Sequence, residues 1–421
     1  MEGILLVVLL VVFIAIGVPI GISIGVATTV ALAVNGYPLI VMSQKAFSGV
    51  DSFTFLAIPF FMLAGLLMST GGIARRLIDF ANTCIGFITG GLAMTTTAAC
   101  MFFAAISGSA VATTSAVGSI MIPEMRRYGY DNSFSSSLSA CAGTIGLIIP
   151  PSIPMVVYAV MAQQSVGKIF IAGIVPGILF GIFLMIACYI MAKHYNYTGT
   201  GVKPTLKAVA LSFIHSFWAL LAPIIILGGI YSGIFTPTEA SAVSVVYAFV
   251  IGRFVYKELT WKKVYDCLAN SVSVNGAVCY LIALSMAFAY FLSVNQIPQQ
   301  VAGFLLGITD NYILLFLLIN LMLLFIGCLM DSLPALIILT PILLPLATSM
   351  GMSPITFGVM IVANLAIGMA TPPFGPSLFV AATIGNVTLD SMIKPTVCFV
   401  AAMVGALMLI TYWPWLTLMF M

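Results

Sequence analysis

Apolar stretches long enough to cross a bilayer fill most of this chain, and polar residues interrupt them in short clusters. About 20 apolar residues, at roughly 1.5 Å each, span a hydrocarbon core. The pattern therefore predicts a succession of membrane helices. Two interruptions are alike: "IGLIIPPSIP" (145–154) and "IGMATPPFGP" (367–376) agree at five of ten positions, the double proline included. Proline lacks an N–H and crowds the preceding turn, so each pair should break a helix inside an apolar run.

The offset of 222 residues, from Pro150 to Pro372, also places Phe103 on Phe325, Pro123 on Pro345 and Gly129 on Gly351. Further back it drifts by two, so that Ser69 meets Ser293 and Ile73 meets Ile297. Earlier still, residues 16–34 resemble 233–250 in their glycine, proline and small-residue pattern. The chain reads as repeat one (1–193), a polar linker (194–208) and repeat two (209–421). Each repeat has apolar spans, then a short amphipathic piece (72–87; 297–310). A helical hairpin follows (about 92–123; about 312–346), split by small polar residues at its tip. Hairpin arms of about 12–17 residues are too short to cross comfortably, which predicts re-entrant hairpins with tips near mid-membrane. Residues 3–34 fit either two short spans broken at Gly17-Val18-Pro19 or one long tilted helix.

Composition leaves one class. Hydrophobic residues are 62% of the chain and charged residues 6%, against about 25% charged in soluble domains. Mean hydropathy is +1.22. The first apolar run (4–16) lacks a basic leader and cleavage site, so it reads as a retained segment. A net charge of +3 is too small for nucleic-acid binding. The eight cysteines are scattered, without CxxC, and read as small buried hydrophobes. HExxH and a nucleotide-binding loop are absent from the sequence, and the one GxSxG match, GISIG (21–25), lies inside an apolar run rather than at a strand-to-helix turn, which argues against an enzyme or an ATP-driven pump.

Charge also orients the repeats. Arg75-Arg76 and Arg126-Arg127 correspond to the neutral pairs Gln299-Gln300 and Thr348-Ser349. Under the positive-inside rule the same loops face the cytoplasm in repeat one and the outside in repeat two. The linker, 253–263 and Lys394 read as inside, with only Lys45 and Lys168 outside. The expected fold class is an all-α polytopic membrane protein of two inverted-topology repeats, each with a re-entrant hairpin and a Pro-Pro-broken helix.

Broken backbone cannot face lipid, because its N–H and C=O groups would go unsatisfied. The two hairpin tips and two double-proline breaks should therefore converge on a polar site. Helix N-termini there favour an anion, and freed carbonyls can hold a cation. That pairing points to an anionic solute moving with Na⁺. Substrate is expected at Ser107, Gly108, Ser109, Pro150, Pro151, Ser332, Asn364, Pro372 and Pro373. Asp331 is an acid between apolar runs, costing about 2.5–3.5 kcal/mol at a helix centre, and reads as a Na⁺ ligand. Oxygen donors suit such a hard cation. A hairpin cap for Asp331 and an interhelical hydrogen bond for Asn364 are the structural alternatives. Asp79, Glu124 and Asp310 read as solvated. Glu239 in "FTPTEAS" reads as an N-terminal capping residue. The stripes Gly17/Gly21/Gly25 and Gly173/Gly177/Gly181 read as close-packing faces within the chain.

The segments "AIPFFMLAGLLMSTGGIARRLIDFA" (57–81), "SGSAVA" (107–112), "IIPPSIP" (148–154), "GIFTPTEASAV" (233–243) and "TPPFGPSLFV" (371–380) resemble the large membrane subunit of tripartite ATP-independent periplasmic (TRAP) transporters. The resemblance covers essentially the whole chain. It implies Na⁺-driven uptake of an organic acid across the bacterial inner membrane by an elevator-type architecture. It implies two partners, a soluble periplasmic substrate-binding protein and a small four-helix membrane subunit. It implies no cofactor besides Na⁺ as coupling ion. Carried over by position, Ser107, Ser109, Gly143, Thr144 and Gly146 would form one Na⁺ site, and Asp331, Gly368 and Thr371 the other. The rival readings are a stand-alone ion-coupled anion carrier and a passive channel.

Overall fold

The computed structural model describes residues 2–201, 203–373 and 375–421, which are helical and, among those described, include no strand. The helices are α1 Glu2–Ala15, α2 Ile20–Val34, α3 Ile40–Val50, α4 Ala57–Thr70, α5 Ile73–Ile85, α6 Gly91–Ser107, α7 Ala110–Arg127, α8 Asn132–Gly143, α9 Ile153–Met161 and α10 Val166–His194. After the linker come α11 Leu206–Tyr231, α12 Pro237–Val250, α13 Trp261–Val294, α14 Ile297–Ile308, α15 Tyr312–Leu329, α16 Ser332–Ser349, α17 Pro354–Gly368, α18 Pro376–Gly385, α19 Leu389–Tyr412 and α20 Trp415–Leu418. Among the described residues, eight helices are long and apolar enough to cross a membrane.

Residues 3–34 are two helices that pack side by side, turned at Gly17, whose φ of 84° only glycine adopts cheaply. The hairpins are α6–α7 and α15–α16. Their arms are 17, 18, 18 and 18 residues; α6 has the expected length, and α7 and α16 exceed it because regular helix continues beyond Pro123 and Pro345. The arms of α6–α7 lie together, whereas α15 and α16 splay and grip α17 between them. Helix boundaries recur at the sequence offset: α7 and α16 begin and end 222 residues apart, as do the starts of α8 and α17. Pro150-Pro151 and Pro372-Pro373 each occupy a gap between helices, and both bonds are cis.

Side-chain contacts sort the loops into two ends. At one, Tyr130 donates to the Thr198 carbonyl (3.2 Å), Thr200 N–H to Gly86 (2.9 Å), and Ser133 to Ser391 (3.0 Å). At the other, Tyr37 meets Asn295 (3.4 Å), Thr238 donates to the Phe53 carbonyl (3.2 Å) and Thr356 meets Thr417 (2.7 Å). Of the 14 Lys and Arg, all but Lys45 and Lys168 belong to the first end. The linker is docked there by stacking of Tyr197 on Tyr130, ring centroids 4.3 Å apart.

The capping box forms at α12. Glu239 N–H donates to Thr236 Oγ1 at 3.3 Å, and the Glu239 carboxylate accepts from Thr236 N–H at 2.8 Å. Both glycine stripes make contacts inside the chain except at Gly17, which turns between α1 and α2 with nothing packed against it. Gly21 and Gly25 face Tyr280 and Leu284 of α13, and Gly173, Gly177 and Gly181 face Met155, Ile149 and Met101.

Candidate functional site

The two hairpin tips meet at one cavity of about 590 Å³. The sequence builds each tip locally. Gly108 turns the first at φ 62°, and Ser109 caps α7 by accepting from Ala112 N–H at 3.4 Å. Asp331 caps α16, accepting from Ser332 N–H at 2.6 Å and from its hydroxyl at 3.2 Å. The first turns of α7, α9 and α16 all line the cavity, so three helix N-termini direct partial positive charge to it, although the first-turn amides of α9 are already taken: Ile153 N–H by Gly108, Met155 N–H by Ser152, and Pro154 has none. Ser107, Ser109, Ser115, Asn270, Asp331 and Ser332 are its polar side chains. Asp331, exposed to the cavity, is the only charged lining residue among those described; no Lys, Arg or His lines it.

The opposite wall is apolar except for Asn270: Met62 and Leu66 of α4, and Val274, Val278 and Leu281 of α13. The lining follows α7 from Ser109 to Ser115, the middle of α4 (Met62 to Leu66) and the middle of α13 (Asn270 to Leu281), but only the tip of α15–α16. Along α7 the cavity runs from the tip toward the end that carries Arg126 and Arg127.

The tip of α6–α7 is locked onto the first double-proline break. The Gly108 carbonyl accepts from Ile153 N–H at 3.2 Å. A Cβ at Gly108 would stand 2.7 Å from the Pro151 oxygen. Behind the tip lies a cluster of oxygens. Ser107 and Thr113 hydroxyls are 2.7 Å apart, Thr113 donates to the Ser109 carbonyl at 2.8 Å, and Thr114 Oγ1 is buried without a partner among the described residues. Gly143 and Gly146 let the break lie on these groups. A Cβ at Gly143 would overlap Thr114 Oγ1, and one at Gly146 would come within 2.6 Å of Thr113 Oγ1. Hydroxyls, carbonyls and an orphaned oxygen make a donor set that suits a hard cation. Thr144 sits in the same segment, but its hydroxyl bonds back to the Cys141 carbonyl at 2.7 Å.

The second break is built differently. Gly368 packs on Gly327 of α15, where a Cβ on either glycine would crowd the other's backbone. Thr371 donates to the Ile367 carbonyl at 2.7 Å.

The structure brings Ser107, Gly108, Ser109, Asp331 and Ser332 to the cavity. It does not bring Pro150, Pro151, Pro372 or Pro373 to its lining; the breaks contribute Leu147, Ile153, Pro154 and Met369 instead. A double proline ends a helix, and the neighbouring backbone supplies the wall. Asn364 also lies off the cavity. Its amide donates to Asn320 at 2.7 Å and to the Met360 carbonyl at 2.9 Å, and Asn320 donates to Thr411 at 3.1 Å. These bonds tie α15, α17 and α19, while Asn364 Oδ1 is buried without a partner among the described residues.

Sequence reasoning missed Thr113, Thr114, Asn270 and Asn320. Thr113 and Thr114 follow the SGS turn by one helical turn, a spacing that carries their hydroxyls back toward it. Asn320 is a lone amide in an apolar run, itself a signal.

The description "Tripartite ATP-independent periplasmic transporter, DctM component" matches residues 7–416. The chain belongs to this family. It is thus a multi-pass transporter permease of the bacterial inner membrane, not an enzyme. It is 42% identical over 389 residues to the isethionate TRAP transporter permease protein DctMQ of Oleidesulfovibrio alaskensis, covering 92% of this chain and 61% of that protein. It therefore spans less than two thirds of that relative. It is also 42% identical over 373 residues to the C4-dicarboxylate TRAP transporter large permease protein DctM of Pseudomonas aeruginosa, with 89% and 87% covered. The sialic acid TRAP transporter large permease protein SiaM of Vibrio cholerae is 38% identical over 377 residues, with 90% and 88% covered. The Alcanivorax borkumensis YdaH transporter shares the fold, at TM-score 0.66 and 12% identity over 89% of this chain and 87% of that one.

Proposed function

We propose that this DctM-family chain is a Na⁺-coupled symporter that carries an organic acid anion into the cytoplasm. The substrate belongs to the range its relatives' names span: C4-dicarboxylates, sialic acid, or other sugar, oxo or sulfonic acids. A periplasmic binding protein delivers it, and a small four-helix membrane subunit buttresses the chain. The cavity between the hairpin tips carries this reading. It offers helix N-termini to an anion, yet its sole charged side chain among the described residues is the carboxylate of Asp331. An anion entering beside that carboxylate raises the local negative charge, with no Lys, Arg or His there to offset it. Co-bound cations remove the penalty, so the chemistry of the site couples anion entry to cation entry.

The halves are inverted repeats, 1–193 and 209–421, and the basic end is cytoplasmic by the positive-inside rule. A cavity on that side of the tips belongs to an inward-facing state. Ser107, Ser109, Gly143, Gly146 and the threonines behind them form one Na⁺ site. Asp331, Gly368 and Thr371 form the second.

The test is uptake into proteoliposomes holding this chain and its small subunit. Radiolabelled succinate, sialic acid, isethionate and pyruvate are offered with and without binding protein and an inward Na⁺ gradient. Accumulation that requires both supports the proposal. Accumulation with the gradient alone makes the chain a stand-alone carrier, and equilibration without concentration makes it a channel.

A further inference from the structure

The sequence assigns Arg76 only to membrane orientation, but its surroundings are built. Its guanidinium pairs with Glu258 at 2.7 Å, donates to the Gly72 carbonyl at 2.8 Å, and lies 3.6 Å above the centroid of the Tyr256 ring. Its own carbonyl accepts from Ser216 of α11 at 2.8 Å. The turn before it is shaped to the same pocket. Gly72 has φ 85°, and a Cβ there would overlap the Glu258 carboxylate; a Cβ at Gly71 would meet Gly252 at 3.1 Å. The α4–α5 turn is therefore keyed into the connector between α12 and α13. Beyond it, α5 runs to the base of the first hairpin, packing on α6 and α11. The counterpart position in the second half is Gln300, which bonds locally to the Asn295 carbonyl at 3.2 Å.

We propose that Arg76 is a positioning residue: with Glu258 and Tyr256 it fixes the angle at which α5 leaves α4, and so the base of the α6–α7 hairpin during transport. The inference rests on the transport reading above. A planar guanidinium serves both the ion pair and the aromatic face, which a lysine does not reproduce.

The test compares Arg76→Ala with Arg75→Ala, which removes the same charge from the same turn at an exposed position. Arg76→Ala should lower maximal Na⁺-driven uptake about tenfold. The KM values for Na⁺ and for the transported acid should stay within about twofold. Arg75→Ala should leave all three unchanged. The swap Arg76→Glu with Glu258→Arg should restore part of the rate. Spin labels at Asp79→Cys and Lys262→Cys, with Cys84, Cys279, Cys328 and Cys398 replaced by Ser, give a readout that needs no transport. Their distance distribution should broaden in Arg76→Ala and remain narrow in Arg75→Ala. Should Arg76→Ala fail to assemble, Glu258→Gln takes its place with the same expected results. Wild-type uptake and an unbroadened distance in Arg76→Ala would overturn the inference, as would equal losses in both alanine variants. A wild type that does not accumulate any acid sinks the transport reading alone, because the label distance still tests the clamp.

Discussion

Replacing Asp331 by Asn separates charge from shape at the cavity. The amide oxygen can still accept from Ser332 N–H and its hydroxyl, now at 2.6 and 3.2 Å, so the start of α16 survives. What is lost is the negative charge. A unit charge pair about 4 Å apart is worth roughly 4 kcal/mol at an effective dielectric of about 20. Asp331 faces an open cavity, so water screens part of this, and about 1.4–2 kcal/mol is the working value. That is a loss of about 10- to 30-fold in Na⁺ affinity. The effect on folding has the opposite sign. An ionised carboxylate in a membrane costs about 2.5–3.5 kcal/mol, so its removal should leave the melting temperature unchanged or raise it. Two assays read the two terms: Na⁺ concentration dependence of uptake in proteoliposomes, and thermal unfolding of the purified protein with Na⁺ titrated in. An unchanged Na⁺ half-saturation in an active variant would refute the reasoning and leave Asp331 as a hairpin cap.

Three further substitutions probe the frame around the site. Gly368→Ala should force α15 and α17 apart, because its Cβ would overlap the Gly327 backbone; a loss of about 1–3 kcal/mol is expected in thermal unfolding. Asn320→Leu should cost about 0.6–1.7 kcal/mol by breaking the bond to Asn364, while Na⁺ and acid half-saturation in uptake stay at wild-type values. Glu239→Ala removes half of the capping box at α12 and should lower the melting temperature slightly, with uptake per folded protein unchanged.

Much of the frame could be read locally. The tips are marked by Ser107-Gly108-Ser109 and Asp331-Ser332, where a glycine or an acidic cap interrupts apolar helix, and the structure turns at those residues. The double prolines mark the two breaks because proline's effect on the backbone does not depend on distant contacts. The opposite wall was hidden. Met62, Val274 and Leu281 differ in no sequence feature from apolar residues that face lipid, and only the packing of α4 and α13 turns them to the cavity. Arg76 was half legible. Its charge reported the membrane side, but its partner Glu258 lies 182 residues away, beyond any local pattern. The setting of Asn364 was also hidden, because its nearness to the break in sequence says nothing about which helix face it occupies.

The coincidence of helix boundaries between the halves bears on the energy of transport. With the halves related as the proposed inverted repeats, exchanging their roles builds the opposite-facing state from equivalent contacts. Two such states lie close in free energy, and a bound ion or solute shifts the balance only by its difference in affinity between them. Sequence differences between the halves then act as bias. Arg76 clamps α5, whereas Gln300 makes only a local bond near the start of α14. The unequal partners would bias the empty carrier toward one side, which changes the rate of the proposed cycle and leaves its driving force, fixed by stoichiometry and the gradients alone, unchanged.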